Sequence, residues 1–521
     1  MLKKLLNNST FIRLFIYLIL IIIQIAWWYV FFTNIISHSA LINAILTLFS
    51  VFMILYLVSK DESPAYRISW IIVISLMPIF GGLLYAAMGN KRPQKSMTRL
   101  LNNQSKLHMH EMETVPSAKK LLFQKDQRLG SMSQYIHDYG DSPVYTNTGV
   151  TYFPAGETMM DTLLKDLEEA KEHIFIEFFI IEDGLMMSQI FDVLKKKAKE
   201  GVDVRLIYDD FGCLLRLPSD FDKQMEAEGI KTLKFNPVMP ILSLVYNTRD
   251  HRKMILIDRE IGYTGGLNIA DEYINHVERF GYWKDNMIRM DGPATWNLTV
   301  LFLNMWNAFY PTDDSYVPFK PIEKMDETFD LMANDENISA TGFVQSFGDS
   351  PLDDEVLGEN VYRDMLNAAK DYVYIYTPYL VVSYELQTAM TLAAKRGVDV
   401  RLMTPGIPDK PIVYRMTRSH YRPLLEGGVK IYEYTPGFLH AKTFIVDDKI
   451  VNIGTINLDY RSLYLHFETG TMLYYHPVIK DIKADFLESQ SVSKQIQLTD
   501  IKTTSIGALW DAILRLVAPF V

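Results

Sequence analysis

Two stretches of the chain carry the same set of chemically capable side chains. HRKMILID begins at His251 and HAKTFIVD at His440. Each reads H-x-K-x-x-x-x-D and is followed, seven residues beyond its Asp, by a Gly and then by an Asn three further on. The residues are His251, Lys253, Asp258, Gly265 and Asn268 in the first copy, and His440, Lys442, Asp447, Gly454 and Asn457 in the second. At ordinary residue frequencies one such His-Lys-Asp pattern in a chain of this length is expected at roughly a few per cent, so two unrelated ones fall to about one in a thousand. The pattern is a duplicated phosphate-handling site. A neutral imidazole, with a pKa of about 6.5, is a nucleophile that needs no metal, and a second imidazole can serve as acid. The lysines and carboxamides supply charge and donors to the non-bridging oxygens, where negative charge concentrates during transfer. One histidine attacks phosphorus to give a phosphohistidine. The other protonates the departing alkoxide and then deprotonates the incoming alcohol, so two displacements retain configuration. The two roles are exchangeable on this evidence.

Side chains alternate across a strand, so His251 and Lys253 share a face, as do His440 and Lys442. Asp258 and Asp447 have the opposite parity and suit the scaffold better than the phosphorus. Asp285, in GYWKDNMIRMDGP, and Glu468, in YLHFETGTM, lie in the next strand-like run after their motifs and are the candidates to orient the imidazoles through the other ring nitrogen. No metal or other cofactor is expected. His108 and His110 form an isolated H-x-H in a polar stretch and read as solvated linker residues, while His276, His420 and His466 could border the cleft.

The elements that must hold these residues also come twice. LLKDLEEAKEHIFIEFFII leads to AKEGVDVRLIYDD, EGIKTLKF and the His251 strand. MLNAAKDYVYIYTPYL leads to AKRGVDVRLMTP, GGVKIYEY and the His440 strand. Helices alternate with apolar runs that suit strands of a sheet covered on both faces. GVDVRL, at Gly201 and Gly397, has a structural reading: the Gly ends a helix and Val-x-Val opens a strand. The expected fold is α/β, two pseudo-symmetric α/β/α sandwich halves that share one active site. Their bounds are 141–325 and 335–495, with a polar connecting segment at 91–140 before them.

Residues 1–90 are of another character. Leu14–Phe32, Leu41–Val58 and Ile71–Met88 are apolar runs, the last interrupted by Pro78, Gly81 and Gly82. The first, extended to Ile36, is long enough for a hydrocarbon core of about 30 Å, and the second is just long enough. Two or three transmembrane segments and a multi-pass protein of the cell membrane are expected. Basic residues at the N-terminus and at Lys60 and Arg67 favour a cytoplasmic catalytic face. The third run, if it spans, puts Lys91 and Arg92 on the wrong side, which keeps a re-entrant or tilted segment in play. FNPVMPILSLVY, residues 235–246, is a Pro-broken apolar stretch before His251 that could dip into lipid. Residues 504–521 form an amphipathic helix in which Ile506, Leu509, Trp510, Ile513, Leu514 and Val517 repeat at helical spacing, suited to a membrane surface or to docking on the catalytic halves. Cys213 is the only cysteine, and the net charge of -10 argues against nucleic acid as the partner.

With these residues in view, the chain resembles the phospholipase D superfamily, whose signature is this duplicated motif. It is most similar to the bacterial cardiolipin synthases, through WIIVISLMPIFGGLLYAAMGN, TGGLNIADEY, GYWKDNMIRMDGP and GTINLDYRSLYLHFE. The resemblance implies that two phosphatidylglycerol molecules give cardiolipin and glycerol, with phospholipids and the membrane as partners. It implies His251 as nucleophile, His440 as acid and base, and Lys253, Asn268, Lys442 and Asn457 on phosphate. A membrane-tethered hydrolase of phospholipid or nucleic acid is the alternative, and a non-catalytic phospholipid scaffold is a third. Two positions depart from the family pattern. Gly266 stands where Ser is common, so its backbone N–H and that of Gly265 are the expected substitutes, and His466 stands where Asn is common.

Overall fold

The structure is a computed structural model. It describes Tyr29, residues 40–60 and residues 63–518, with gaps at 78–80, 83, 86–88, 90–94, 109–110, 113–115, 239–247, 322–341, 354 and 502–503. The run at Leu14–Phe32, apart from Tyr29, and most of the apolar stretch before His251 lie outside the described residues.

The strands of the first half are β1 (Gly149–Phe153), β2 (His173–Phe178), β3 (Asp203–Asp209), β4 (Lys231–Phe235), β5 (Arg249–Asp250), β6 (Met254–Ile257), β7 (Ile261–Gly265) and β8 (Met287–Asp291). Those of the second are β9 (Phe343–Asp349), β10 (Tyr372–Tyr376), β11 (Asp399–Pro405), β12 (Lys430–Tyr434), β13 (Thr443–Val446), β14 (Ile450–Gly454), β15 (His466–Tyr474) and β16 (Ser493–Ile496). The first sheet runs β1-β8-β7-β6-β2-β3-β4. The second repeats that order as β9-β15-β14-β13-β10-β11-β12 and adds β16 at its edge. In each, a parallel trio joined by helices meets an antiparallel trio that carries the motif. Every residue of β2 and β10 is buried, as a sheet covered on both faces requires.

One face of the first sheet packs under the helices Gly156–Glu169 and Leu185–Lys199. The other packs toward the second half and the helix Thr295–Phe309, which is apolar nearly all round and therefore buried nearly all round. Both GVDVRL segments do what their composition demands. Gly201 (φ 94°) and Gly397 (φ 97°) take the left-handed conformation that ends a helix, and Val202 and Val398 donate back to the carbonyls of Lys197 and Ala393.

Segment 91–140 is not a linker. Its helices Lys95–His108, Pro116–Lys125 and Gln127–Gly140 place Leu101, Leu122, Leu129, Met132 and Ile136 in the main core. Polar outer faces disguise this in a count of composition, while the inner faces are apolar. His108 is accordingly buried, with Nδ1 3.0 Å from Glu111 and its ring stacked on Tyr316.

Near the N-terminus, Ala40–Val58 is one helix with Leu48, Val51, Phe52 and Leu55 exposed. The run Ile71–Met88 is not one helix. The helix Pro64–Leu76 ends before Pro78, and Gly81 then lies so close to Val73 and Ile74 that the chain must double back. No helix among the described residues is long and apolar enough to cross a membrane. The C-terminal helix, Ser505–Val517, both docks and presents an apolar face. Leu514 is buried against Val381, Met416 and Tyr460, and the Leu516 carbonyl accepts from Ser69 Oγ at 2.6 Å, whereas Ile506, Leu509, Trp510 and Ile513 are exposed.

Asp258 (φ 51°) and Asp447 (φ 53°) close the starts of the central strands. Asp258 accepts the backbone N–H groups of Lys171, Glu172 and His173, and Asp447 those of Lys370, Asp371 and Tyr372. Asp258→Ala, which orphans three donors, is expected to lower unfolding free energy by about 2 kcal/mol while leaving the site residues in place. Thermal unfolding with a parallel phospholipid-binding assay checks this.

Candidate active site

The seam between the halves is made of backbone. β5, from the first half, runs parallel to the start of β15, and the His251 N–H donates to the Phe467 carbonyl at 2.9 Å. The second motif repeats the arrangement, the His440 N–H donating to the Lys284 carbonyl at 2.7 Å. Phe467 precedes Glu468 and Lys284 precedes Asp285. Each histidine is thereby set in register against a carboxylate of the opposite half.

The side chains complete a crossed pairing. His251 Nδ1 lies 2.9 and 3.0 Å from the two carboxylate oxygens of Glu468, and His440 Nδ1 lies 2.6 Å from Asp285 Oδ2. Glu468 also accepts from the hydroxyls of Ser462 and Thr455, and Asp285 Oδ1 accepts from the Asn286 N–H at 2.9 Å. A carboxylate that holds Nδ1–H leaves Nε2 with a free lone pair, which is the tautomer a nucleophile needs.

Both histidines line one cavity of about 400 Å³, together with Asn268, Asn457 and His466. Its aromatic wall includes Phe179, 5.0 Å from the His251 ring, and Tyr273, Trp283 and Phe438, 5.5 to 5.8 Å from that of His440. Lys253 and Lys442 lie behind this wall, fully buried, each donating one proton to the carbonyl of its own histidine. Asn268 is held by the Ile180 N–H and by Tyr273, and the Asn457 side-chain oxygen is buried with no hydrogen-bond partner among the described residues. Asp258 and Asp447 are at the far end of their strands, on the scaffold.

Burial and mutual repulsion set the charge states. Burial, then the Lys253 and Lys442 charges, push His251 well below the usual imidazole value, and burial with Lys442 brings His440 down to about 4. Burial lowers Lys253 to about 8 and Lys442 to about 7. Burial would raise Asp285, but the His440 and Lys442 charges hold it below the ordinary carboxylate range. Burial thus keeps the imidazoles unprotonated, and the negative charge of an entering phosphate diester favours the protonated form of the acid imidazole.

Spacing did not single out His466. Its ring lies 5.5 Å from that of His251, and burial lowers it to about 4. His276, in contrast, is exposed, and neither it nor His420 lines the cavity. His251, His466 and Glu468 each offer one ligand atom within 4.8 Å of the others, a group that could hold a metal ion. The Glu468 oxygens already accept from Ser462, Thr455 and His251, a donor set that fits imidazole orientation better than metal ligation. Gly266 corrects a second expectation. Its N–H donates to the Asn286 carbonyl at 2.9 Å and so is not free to replace a hydroxyl. A Cβ there would stand 2.0 Å from Asp285 Oδ1, so any side chain at 266 would push that carboxylate aside.

Comparison with known proteins agrees with this geometry. The family model described as cardiolipin synthase, PLD-like domain, matches residues 163–295 and 362–489, and the phospholipase D-nuclease N-terminal model matches 45–90. An uncharacterized protein of Streptococcus mutans is 42% identical over 89% of this chain and 99% of its own. Cardiolipin synthase 1 of Bacillus anthracis is 32% identical over 88% of this chain and 90% of its own, and the cardiolipin synthase of Oceanobacillus iheyensis 33% identical over 89% and 95%. Among solved structures, the phosphatidylserine synthase of Haemophilus influenzae shares the fold at a TM-score of 0.56 and 15% identity, covering 75% of this chain and 98% of that one.

Two outcomes follow from the site. Gly266→Ala should displace the Asp285 carboxylate and lower turnover about a hundredfold, against little change for Thr455→Ser, which keeps its hydroxyl on Glu468. Lys253 and Lys442 work protonated, and burial lowers them to about 8 and about 7, so kcat/KM should fall as pH rises through 7 to 8. A profile that rises from pH 7 to 9 contradicts this assignment.

Proposed function

The chain belongs to the cardiolipin synthase family, and on that premise we propose that it transfers a phosphatidyl group from one phosphatidylglycerol to a second, giving cardiolipin and glycerol. The observation that carries this reading is the pair of neutral, carboxylate-oriented imidazoles on one aromatic-walled cavity. His251, the nucleophile on the family pattern, attacks the donor phosphorus through Nε2. The P–O bond to glycerol breaks, and His440 delivers a proton to the departing alkoxide. The product half is a phosphohistidine with its lipid attached. His440 then takes the proton from a hydroxyl of the second phosphatidylglycerol, whose oxygen displaces His251 and re-forms a P–O bond. Lys253 and Lys442 supply the positive field for the phosphoryl oxygens from behind the wall, and Asn268 and Asn457 the donors at it.

A transferase must favour a lipid alcohol over water, which is far more concentrated. Aromatic walls that exclude water, and a seat for the second lipid, are the physical answers. The membrane supplies that lipid. The exposed apolar face of the C-terminal helix, with Ile506, Leu509, Trp510 and Ile513, and that of the helix Ala40–Val58 suit contact with a bilayer. Multi-pass anchoring by the N-terminal runs, with the catalytic halves on the cytoplasmic side, completes the reading.

The purified protein, in detergent with labelled phosphatidylglycerol and no nucleotide or added metal, is expected to release cardiolipin and free glycerol. Phosphatidic acid as the sole lipid product would turn the reading to hydrolysis. His251→Ala and His440→Ala should each abolish cardiolipin with the fold retained, and normal turnover by either would refute a shared site.

A further inference from the structure

The two halves differ in charge at one matched position beside the cavity. Seven residues after the motif glycines stand Glu272 in the first half and Arg461 in the second. Both line the cavity. Glu272 is neutralised, with Arg279 Nη1 at 2.8 Å and Arg216 Nη1 at 3.7 Å. Arg461 has no such partner. It is half-buried, its Nε is buried without a hydrogen bond, and no ion pair reaches its guanidinium among the described residues. Asp459, two residues before it, spends Oδ1 on the Ser462 N–H at the start of the same helix, Tyr460–Tyr464. The Asp459 charge acts on Arg461 but makes no ion pair with it, and a guanidinium without an ion pair on an aromatic-walled cavity is costly unless an anion joins it there.

The surroundings say what kind of anion. Arg461 shares its end of the cavity wall with Tyr460, which packs in one apolar cluster with Val381, Met416, Leu514 and Ala518. Val381, Val413, Met416 and Ala518 also line the cavity, and Leu514 and Ala518 belong to the C-terminal helix or its end, whose outer face is the exposed apolar one. A cation therefore sits where an apolar wall leads from the cavity to a lipid-compatible surface. A charged headgroup with acyl chains behind it matches that sequence of environments.

We propose that Arg461 is the seat for the phosphate of the acceptor lipid, and that it selects a phosphate-bearing alcohol over water and small alcohols. This rests on the phosphatidyl-transfer reading. That reaction brings two phosphates together: one at the imidazoles, under the field of Lys253 and Lys442, and one on the acceptor, for which the other cations on the cavity, Arg216, Arg279 and Lys410, are already held in ion pairs with Glu182, Glu272 and Asp409. A guanidinium binds phosphate through two parallel N–H donors, which fixes orientation as well as charge. The matched Glu272, already paired, gives the opposite side no such seat, so the cavity is asymmetric although its motifs are not.

The test is competition between acceptors. Full-length protein in detergent micelles receives labelled phosphatidylglycerol together with methanol, and the ratio of cardiolipin to phosphatidylmethanol is measured. Both products share the donor and the phosphohistidine, so changes in donor binding cancel in the ratio. Arg461→Gln is expected to lower the ratio roughly ten- to a hundredfold, and Arg461→Lys to restore part of it. An unchanged ratio, or equal loss of both products, would overturn the proposal. Inorganic phosphate added at the substrate concentration should leave the wild-type ratio unaltered; a fall would assign the seat to free phosphate and contradict a lipid headgroup. Wild-type protein that makes phosphatidylmethanol and phosphatidic acid but no cardiolipin would instead overturn the transfer reading itself.

Discussion

The structure depends on a crossed arrangement: each imidazole is held by a carboxylate of the other half. His251 is 217 residues from Glu468 and His440 is 155 from Asp285, yet both pairs sit within hydrogen-bond distance. Two backbone bonds impose this, from the His251 N–H to Phe467 and from the His440 N–H to Lys284. A half folded alone would present a histidine with no orienting carboxylate and a buried carboxylate that has lost its imidazole. Duplication therefore gives this protein one site, and neither copy is a spare.

The electrostatics follow from that arrangement. Two carboxylates, two lysines and two histidines are buried together, and three of these pairs would be prohibitive if all were charged at random. Burial neutralises the imidazoles, Asp285 keeps its charge beside Lys442, and burial brings the lysines down to about 8 and about 7. An anionic substrate in such a site favours the protonated lysines and acid imidazole. Gly266 shows how tight this packing is, since even a methyl group would meet the Asp285 carboxylate.

Much of this was readable in the sequence, for identifiable reasons. The motif residues stand out because four residue types recur at the same offsets, and strand parity separates Asp258 and Asp447 from the histidines before any fold is seen. The repeated helix-Gly-strand text gives the two matching sheets. The crossed partnership was not readable, because the order of residues along a chain does not say which of two strands meets across a seam. His466 was expected to border the cleft and does, whereas Arg461 was missed because it is single in its half, and a lone side chain carries no periodicity. The segment 91–140 misleads through composition: Leu129, Met132 and Ile136 are a buried stripe in a helix otherwise polar. At Ile71–Met88 the apolar run left a span or a re-entrant segment open, and in the structure the helix ends at Leu76 and Gly81 lies back against Val73 and Ile74.

The central claim is that Glu468, although carried by the second half, serves His251 in the first. Single-turnover quench with peptide mapping of the lipid-phosphate adduct tests it directly in Glu468→Gln. The crossed arrangement predicts that the adduct on His251 forms slowly and never accumulates, because the attacking imidazole has lost its orienting carboxylate. Formation at the wild-type rate followed by accumulation on His251 would contradict it, since Glu468 would then be serving the acid imidazole instead.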